Sequence, residues 1–169
     1  MAQDLPIDPS LPRAARLHQL LPALEGLLTG EPSGMANLAN VAAALWSATG
    51  WHWVGFYLVD QTADNLVLGP FQGPVACTRL HRGKGVCAAA WETNTTQVVP
   101  DVHAFPGHVA CSSASLSEVV LPICAPNGAV LAVLDIDSAV ADDFSQEEVD
   151  GLEALRTLVE RAWPTWSWS

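Results

Sequence analysis

Two apolar runs in the second half of the chain, EVVLPIC and GAVLAVLDID, stand on either side of the short turn APNG. Runs so rich in β-branched and aliphatic residues suit strands, and a connection this short joins neighbours that run antiparallel. A sheet is therefore required, and everything else in the chain must pack around it. Two more runs, WHWVGFYLVD and NLVLGPF, flank the turn QTADN and read as further strands, with TQVVP as a short one.

Helical spacing surrounds these strands. From Arg13 to Leu28 the apolar residues Ala15, Leu17, Leu20, Leu21, Leu24 and Leu28 recur on one face, and Gly30 supplies a stop. Met35 to Ala48 repeats the pattern with Leu38, Val41, Ala42 and Leu45, ending at Gly50. GKGVCAAAWETN predicts a short helix after a glycine-led start, PDVHAFPGH a loop, and Asp142 to Trp163 a closing amphipathic helix. Glu147 and Glu148 at its start and Arg156 and Arg161 at its end suit the helix dipole. Helices, then strands with inserted loops, then a helix describe an α+β domain, its helices packed on an antiparallel sheet. At 169 residues there is room for one such domain, with residues 1–12 as a lead-in.

Charge and termini narrow the partners. A net charge of −11 with a single lysine, Lys84, repels phosphate backbones, so nucleic acid is not expected. The start MAQDLPIDPSLP lacks the basic and apolar segments of a secretory signal, and no apolar stretch approaches membrane-spanning length. The expectation is a cytoplasmic protein with reduced thiols, no membrane partner and no bound cofactor.

Cys77, Cys87 and Cys111 lie in loops or at a helix start among charged residues. Arg79, Arg82 and Lys84, three of the seven basic residues, fall between Cys77 and Cys87, and cations raise the thiolate fraction of a nearby thiol. Cys87 also sits in the first turn of its helix, where the dipole favours an anion. His108 precedes Cys111 by three residues, whereas Cys124 lies inside the apolar run VVLPIC and reads as a buried small residue. Cys77, Cys87, His103, His108 and Cys111 include the donor types of a zinc shell, but no CxxC pair is present and a metal is not expected.

Strand alternation puts Asp135 and Asp137 on one face, with Ile136 on the other. Pairing of the two runs brings Glu118 beside them. Carboxyls at the end of a core strand hold their protons tightly, as a general acid must. Trp53 and Tyr57 share a face with Gly55 and are able to wall an apolar pocket.

The segments WVGFYL, LGPFQGPVACTR, GKGVC, VPDVHAFPGHVAC, SEVVLPI and VLDIDS followed by FSQEE resemble the free methionine-(R)-sulfoxide reductases, which are single GAF domains. The resemblance runs from about Trp53 to Glu153. It implies a GAF-like domain over residues 13–162, with a Trp-rich tail at 163–169 outside the family pattern. It also implies reduction of free L-methionine-R-sulfoxide, with thioredoxin regenerating the enzyme. The family's cysteines fall on Cys77, Cys87 and Cys111, its acids on Glu118, Asp135 and Asp137, and its pocket aromatics on Trp53 and Tyr57. Ser112 and Leu116 stand where the family usually has Asp and often has Asn, and Cys124 matches no family cysteine.

In that setting Cys111 is expected to attack, Glu118 to manage the proton, and Cys77, or second Cys87, to resolve the sulfenic acid as a disulfide. The helix start keeps Cys87 open as the attacking thiol. Asp135 and Asp137 suit the ammonium of a free amino acid. A ligand-sensing GAF module without catalysis is the alternative. Trp163, Trp166 and Trp168 suit packing on the domain or a contact in a homodimer.

Overall fold

The computed structural model describes residues 5–107 and 113–168. His108, Cys111 and Ser112 lie outside the described residues. The two apolar runs pair as expected, as β5 (Ser117–Cys124) and β6 (Val130–Ser138), antiparallel from Ser117 opposite Ser138 to Cys124 opposite Val130. The other strands are β1 (Trp53–Asp60), β2 (Asn65–Gln72), β3 (Arg79–His81) and β4 (Gln97–Val99). Together they form one six-stranded antiparallel sheet of order β3-β2-β1-β6-β5-β4.

The helices are α1 (Arg13–Leu28), α2 (Gly34–Thr49), α3 (Gly85–Thr93) and α4 (Gln146–Ala162). α2 and α4 lie against the sheet, and α1 packs on both of them. The core on this side joins Leu20, Leu24, Leu38, Leu45, Leu152 and Leu155 to Val54, Phe56, Leu121, Leu134 and Ile136 of the strands. α3 covers part of the opposite face, where Val86, Ala90 and Trp91 meet Val120 and Val133. Both faces of the central strands are thus buried. This is why β5 reads as an unbroken apolar run rather than as an alternation.

Helix ends follow local chemistry. Ser33 caps α2 by accepting from the Ala36 amide at 3.3 Å, and Gly50 ends it with a φ of +72°. The last helix starts later than its sequence pattern suggests. Asp142 has a φ of +52°, outside the helical region, and α4 begins only after Ser145. Ser145 and Glu148 form a reciprocal capping box with contacts of 3.3 and 2.8 Å.

β3 has no counterpart in the sequence reading, because its three residues alternate exposed Arg79, buried Leu80 and exposed His81 and pair only with β2. Beyond α4 the chain turns through Trp163–Thr165 and folds back. Trp166 enters the helical core at 7 % exposure, and Ser167 bonds Pro32 and Gly34 across the start of α2. Among the described residues no helix is long and apolar enough to cross a membrane.

Candidate active site

Register brings the chemistry together. Asp137 of β6 lies between Trp53 of β1 and Glu118 of β5, and Asp135 lies between Gly55 and Val120. All of these belong to the sheet face that α3 partly covers. The resulting pocket is lined by Trp53, Tyr57, Glu118, Asp135 and Asp137 from the sheet and by Cys87 from α3. Val75, Ala76, Lys84 and Ser115 complete it from the loops.

The aromatic wall depends on Gly55. The Trp53 ring stacks on Phe71 with centroids 5.3 Å apart and lies 5.9 Å from Tyr57. A Cβ at Gly55 would stand 2.4 Å from both the Trp53 ring and the Phe71 Cβ, so the indole occupies the space of the missing side chain. Trp53 Nε1 donates to the Pro74 carbonyl at 3.1 Å, and the Tyr57 hydroxyl donates to the Cys77 carbonyl at 3.0 Å. Both bonds tie the loop after β2, which carries Cys77, to the pocket wall. Burial, followed by the neighbouring carboxyls, pushes the Tyr57 phenol up, so it remains a donor.

The three acids are deeply placed. Glu118 is 6 % and Asp135 7 % exposed, and Asp137 is half-buried. Desolvation raises all three carboxyls above their ordinary range. Repulsion by Asp135 and Asp137 adds to it at Glu118, and repulsion by Asp137 adds to it at Asp135. A hydrogen bond with Ser115 and the nearby His52 oppose the shift at Asp137. Three carboxylates cannot all be ionised in so small a volume without a counter-cation, so the cluster stores protons when empty and charge when a cation enters.

The cysteines divide into different environments. Cys87 is buried at 4 % exposure, and its thiol is pushed well up, first by desolvation and then by Asp135 and Glu118. These acidic neighbours oppose the activated thiolate expected there, and of the three cations near it in sequence Lys84 lines the pocket while the two arginines point elsewhere. Arg79 reaches Asn65 at 3.1 Å and Asp60 at 3.6 Å, while Arg82 bonds Asp64 at 2.6 Å and stacks 3.7 Å from the Trp91 ring.

Cys77 is disulfide-bonded, whereas Cys87 and Cys124 are free. Cys124 is half-buried rather than buried; its thiol donates to Asn94 at 2.9 Å, away from the pocket. Of the expected site residues, Trp53, Tyr57, Cys87, Glu118, Asp135 and Asp137 converge on the pocket. Cys77 joins it through its carbonyl, and Cys111 falls outside the described residues. Ser115 was missed in sequence: a serine in a run of serines gives no sign that it will be 4 % exposed against an aspartate.

A six-stranded antiparallel sheet with α1, α2 and α4 on one face and a pocket beside α3 on the other is the architecture of a GAF domain, and the GAF domain family matches residues 37–163. The chain is 53 % identical to GAF domain-containing protein A of Dictyostelium discoideum over 95 % of its own length and 99 % of that protein's. It is 46 % identical to free methionine-R-sulfoxide reductase of Escherichia coli, covering 82 % of this chain and 83 % of that one. The crystal structure of free methionine-R-sulfoxide reductase from Neisseria meningitidis in complex with its substrate superposes with a TM-score of 0.92 at 44 % identity, over 97 % of each chain. The chain belongs to the free methionine-R-sulfoxide reductase family of GAF domains.

Proposed function

We propose that this protein reduces free L-methionine-R-sulfoxide to L-methionine, using its own cysteines as the reductant. The observation that carries the reading is the convergence of three carboxyls, two of them buried and one half-buried, and an aromatic wall on one pocket, beside the loop that holds Cys77. Family membership and a neighbour solved with its substrate agree with it.

Each group has work to do. The substrate's ammonium supplies the counter-charge the acid cluster lacks, so Asp135 and Asp137 ionise and bond it as it enters. A methionine sulfoxide within a peptide has an amide there instead, and the site would bury unpaired carboxyls against it. Discrimination of this polar kind is strong. Trp53 and Tyr57 hold the methyl group and so orient the sulfoxide. The sulfur of Cys111 attacks, and Glu118, kept protonated by burial, gives its proton to the sulfoxide oxygen. The oxygen passes to the cysteine as sulfenic acid and methionine leaves, reduced by two electrons.

Cys77 then displaces the sulfenic oxygen as water, closing a Cys77–Cys111 disulfide. The bonded state of Cys77 beside free Cys87 supports this pairing, and the depressed acidity of Cys87 weighs against it as the attacking thiol. Two thiols of thioredoxin clear the disulfide by exchange.

Steady-state NADPH oxidation with thioredoxin and its reductase tests the reading on four substrates: free R and S epimers and each epimer within a peptide. Turnover confined to the free R epimer is expected. Comparable turnover of the peptide forms would remove the ammonium role, and no turnover of any would leave a ligand-binding GAF module.

A further inference from the structure

Asp135 Oδ1 is buried without a hydrogen-bond partner among the described residues, in a side chain only 7 % exposed that lines the pocket. The rest of the Asp135 carboxyl bonds Cys87 and Glu118, and a buried carboxyl oxygen left unbonded costs about 1–3 kcal/mol, so a ligand is its natural partner. Around it stand Cys87 from the first turn of α3 and Glu118 from β5, and one donor atom from each of the three residues lies within 4.8 Å of the others. The set mixes a soft sulfur with two hard oxygens.

We propose that the reduced protein holds one thiophilic divalent cation, Zn²⁺ in chemical class, through Cys87 Sγ and one oxygen each of Glu118 and Asp135. Zinc sits about 2.3 Å from sulfur and about 2.0–2.2 Å from oxygen, which places tetrahedral ligands about 3.4–3.6 Å apart. Side-chain shifts of about 1 Å therefore close the shell, and the fourth position faces the pocket. Of the donors the sequence suggested, Cys87 belongs to this set, whereas His103 is exposed away from the pocket lining. Binding is coupled to proton release: the cation displaces the thiol and carboxyl protons to solvent, so its affinity rises with pH, and a dication offsets two of the three charges formed. Mg²⁺ demands near-octahedral oxygen and keeps its water, so it does not compete.

The carboxylates serve both cations in turn. Given the proposed function, Zn²⁺ and the substrate ammonium exclude one another, and the metal is an inhibitor rather than a cofactor.

Co²⁺ added to the fully reduced chain is the direct test, since thiolate ligation to Co²⁺ gives a near-ultraviolet charge-transfer band that carboxylates do not. One equivalent bound with that band, displaced by Zn²⁺ and not by Mg²⁺, is expected. Cys87→Ser should abolish the band, and Asp135→Asn should weaken Co²⁺ binding at least tenfold. The Cys77→Ser/Cys111→Ser double variant should keep both. Absence of the band, or a band that survives Cys87→Ser and disappears in the double variant, would overturn the site. Circular dichroism of each variant separates lost ligands from lost folding. A Cys87-dependent band that saturating methionine sulfoxide leaves intact would support the metal site and count against the ammonium role alone.

Discussion

Adding one methyl group at Gly55 isolates the part of the site that backbone geometry controls. Gly55→Ala places a Cβ 2.4 Å from the Trp53 ring and from the Phe71 Cβ, against the 3.5–4.0 Å of ordinary carbon contact. Phe71 Cβ is fixed to its strand, so the ring or the strands must move by about 1 Å. Overpacking of this kind costs about 1–3 kcal/mol. In a domain of this size each kcal/mol lowers Tm by about 2–4 °C, so a fall of about 2–12 °C is expected. Displacing a substrate-positioning wall by about 1 Å costs up to about 100-fold in rate. A drop in kcat/KM of about 10- to 100-fold should accompany the thermal loss. Differential scanning fluorimetry and the coupled NADPH assay measure both. A variant with unchanged Tm and unchanged kcat/KM would refute the claim that the Trp53 ring needs the space above Gly55.

Glu118→Gln should lower kcat by about 10²- to 10⁴-fold, the range for a positioned general acid, and leave substrate binding less affected. Its stability should move the other way: burial raises the native carboxyl, so stability present below about pH 4 is lost as pH rises through the native value. Urea titrations from about pH 4 to about pH 8 should therefore show the variant gaining on the wild type with rising pH; a parallel profile would refute the shift. Arg13 bonds Asp143 at 2.8 Å and Glu148 at 2.6 Å, joining the start of α1 to the start of α4. Arg13→Ala should cost about 1.5–3 kcal/mol by chemical denaturation, against near neutrality if the pairs are merely solvated. Trp166→Ala should cost about 3–5 kcal/mol while sparing kcat, because its ring fills the helical core far from the pocket lining. Cys124→Ala should leave reductase turnover within twofold, as its thiol faces Asn94; a larger loss would place it in the redox relay.

The acid cluster was legible because a period of two is rigid. Once VLAVLDID is a strand, Asp135 and Asp137 must share a face, and the hairpin with EVVLPIC must bring Glu118 alongside. The same logic put Trp53, Gly55 and Tyr57 together. What Gly55 is for, however, emerged only with the Trp53 ring folded over it, which no spacing reveals. The state of Cys87 was not legible for a related reason. Proximity in sequence suggested that Arg79, Arg82 and Lys84 would stabilise a thiolate, but Arg79 of β3 turns to Asp60 and Arg82 just after it to Asp64, and only Lys84 of the three lines the pocket. That leaves Cys87 facing acids instead. Side-chain direction on a three-residue edge strand is set by its pairing partner, and its own pattern carries too little signal. The Trp-rich end gave its residue types but not its path, since its anchor is backbone bonding of Ser167 to Pro32 and Gly34.

Single-turnover methionine release is the measurement that bears most directly on the proposed activity. Reduced protein, freed of excess reductant, is mixed with each epimer of free methionine sulfoxide, and methionine and remaining thiols are counted together. One equivalent of methionine from the R epimer, with two thiols lost, is the expected result. Cys111→Ser should release none, and Cys77→Ser should release one equivalent while stopping at the sulfenic acid. Methionine released in full by Cys111→Ser, or none released from either epimer by fully reduced wild-type protein, would contradict the account.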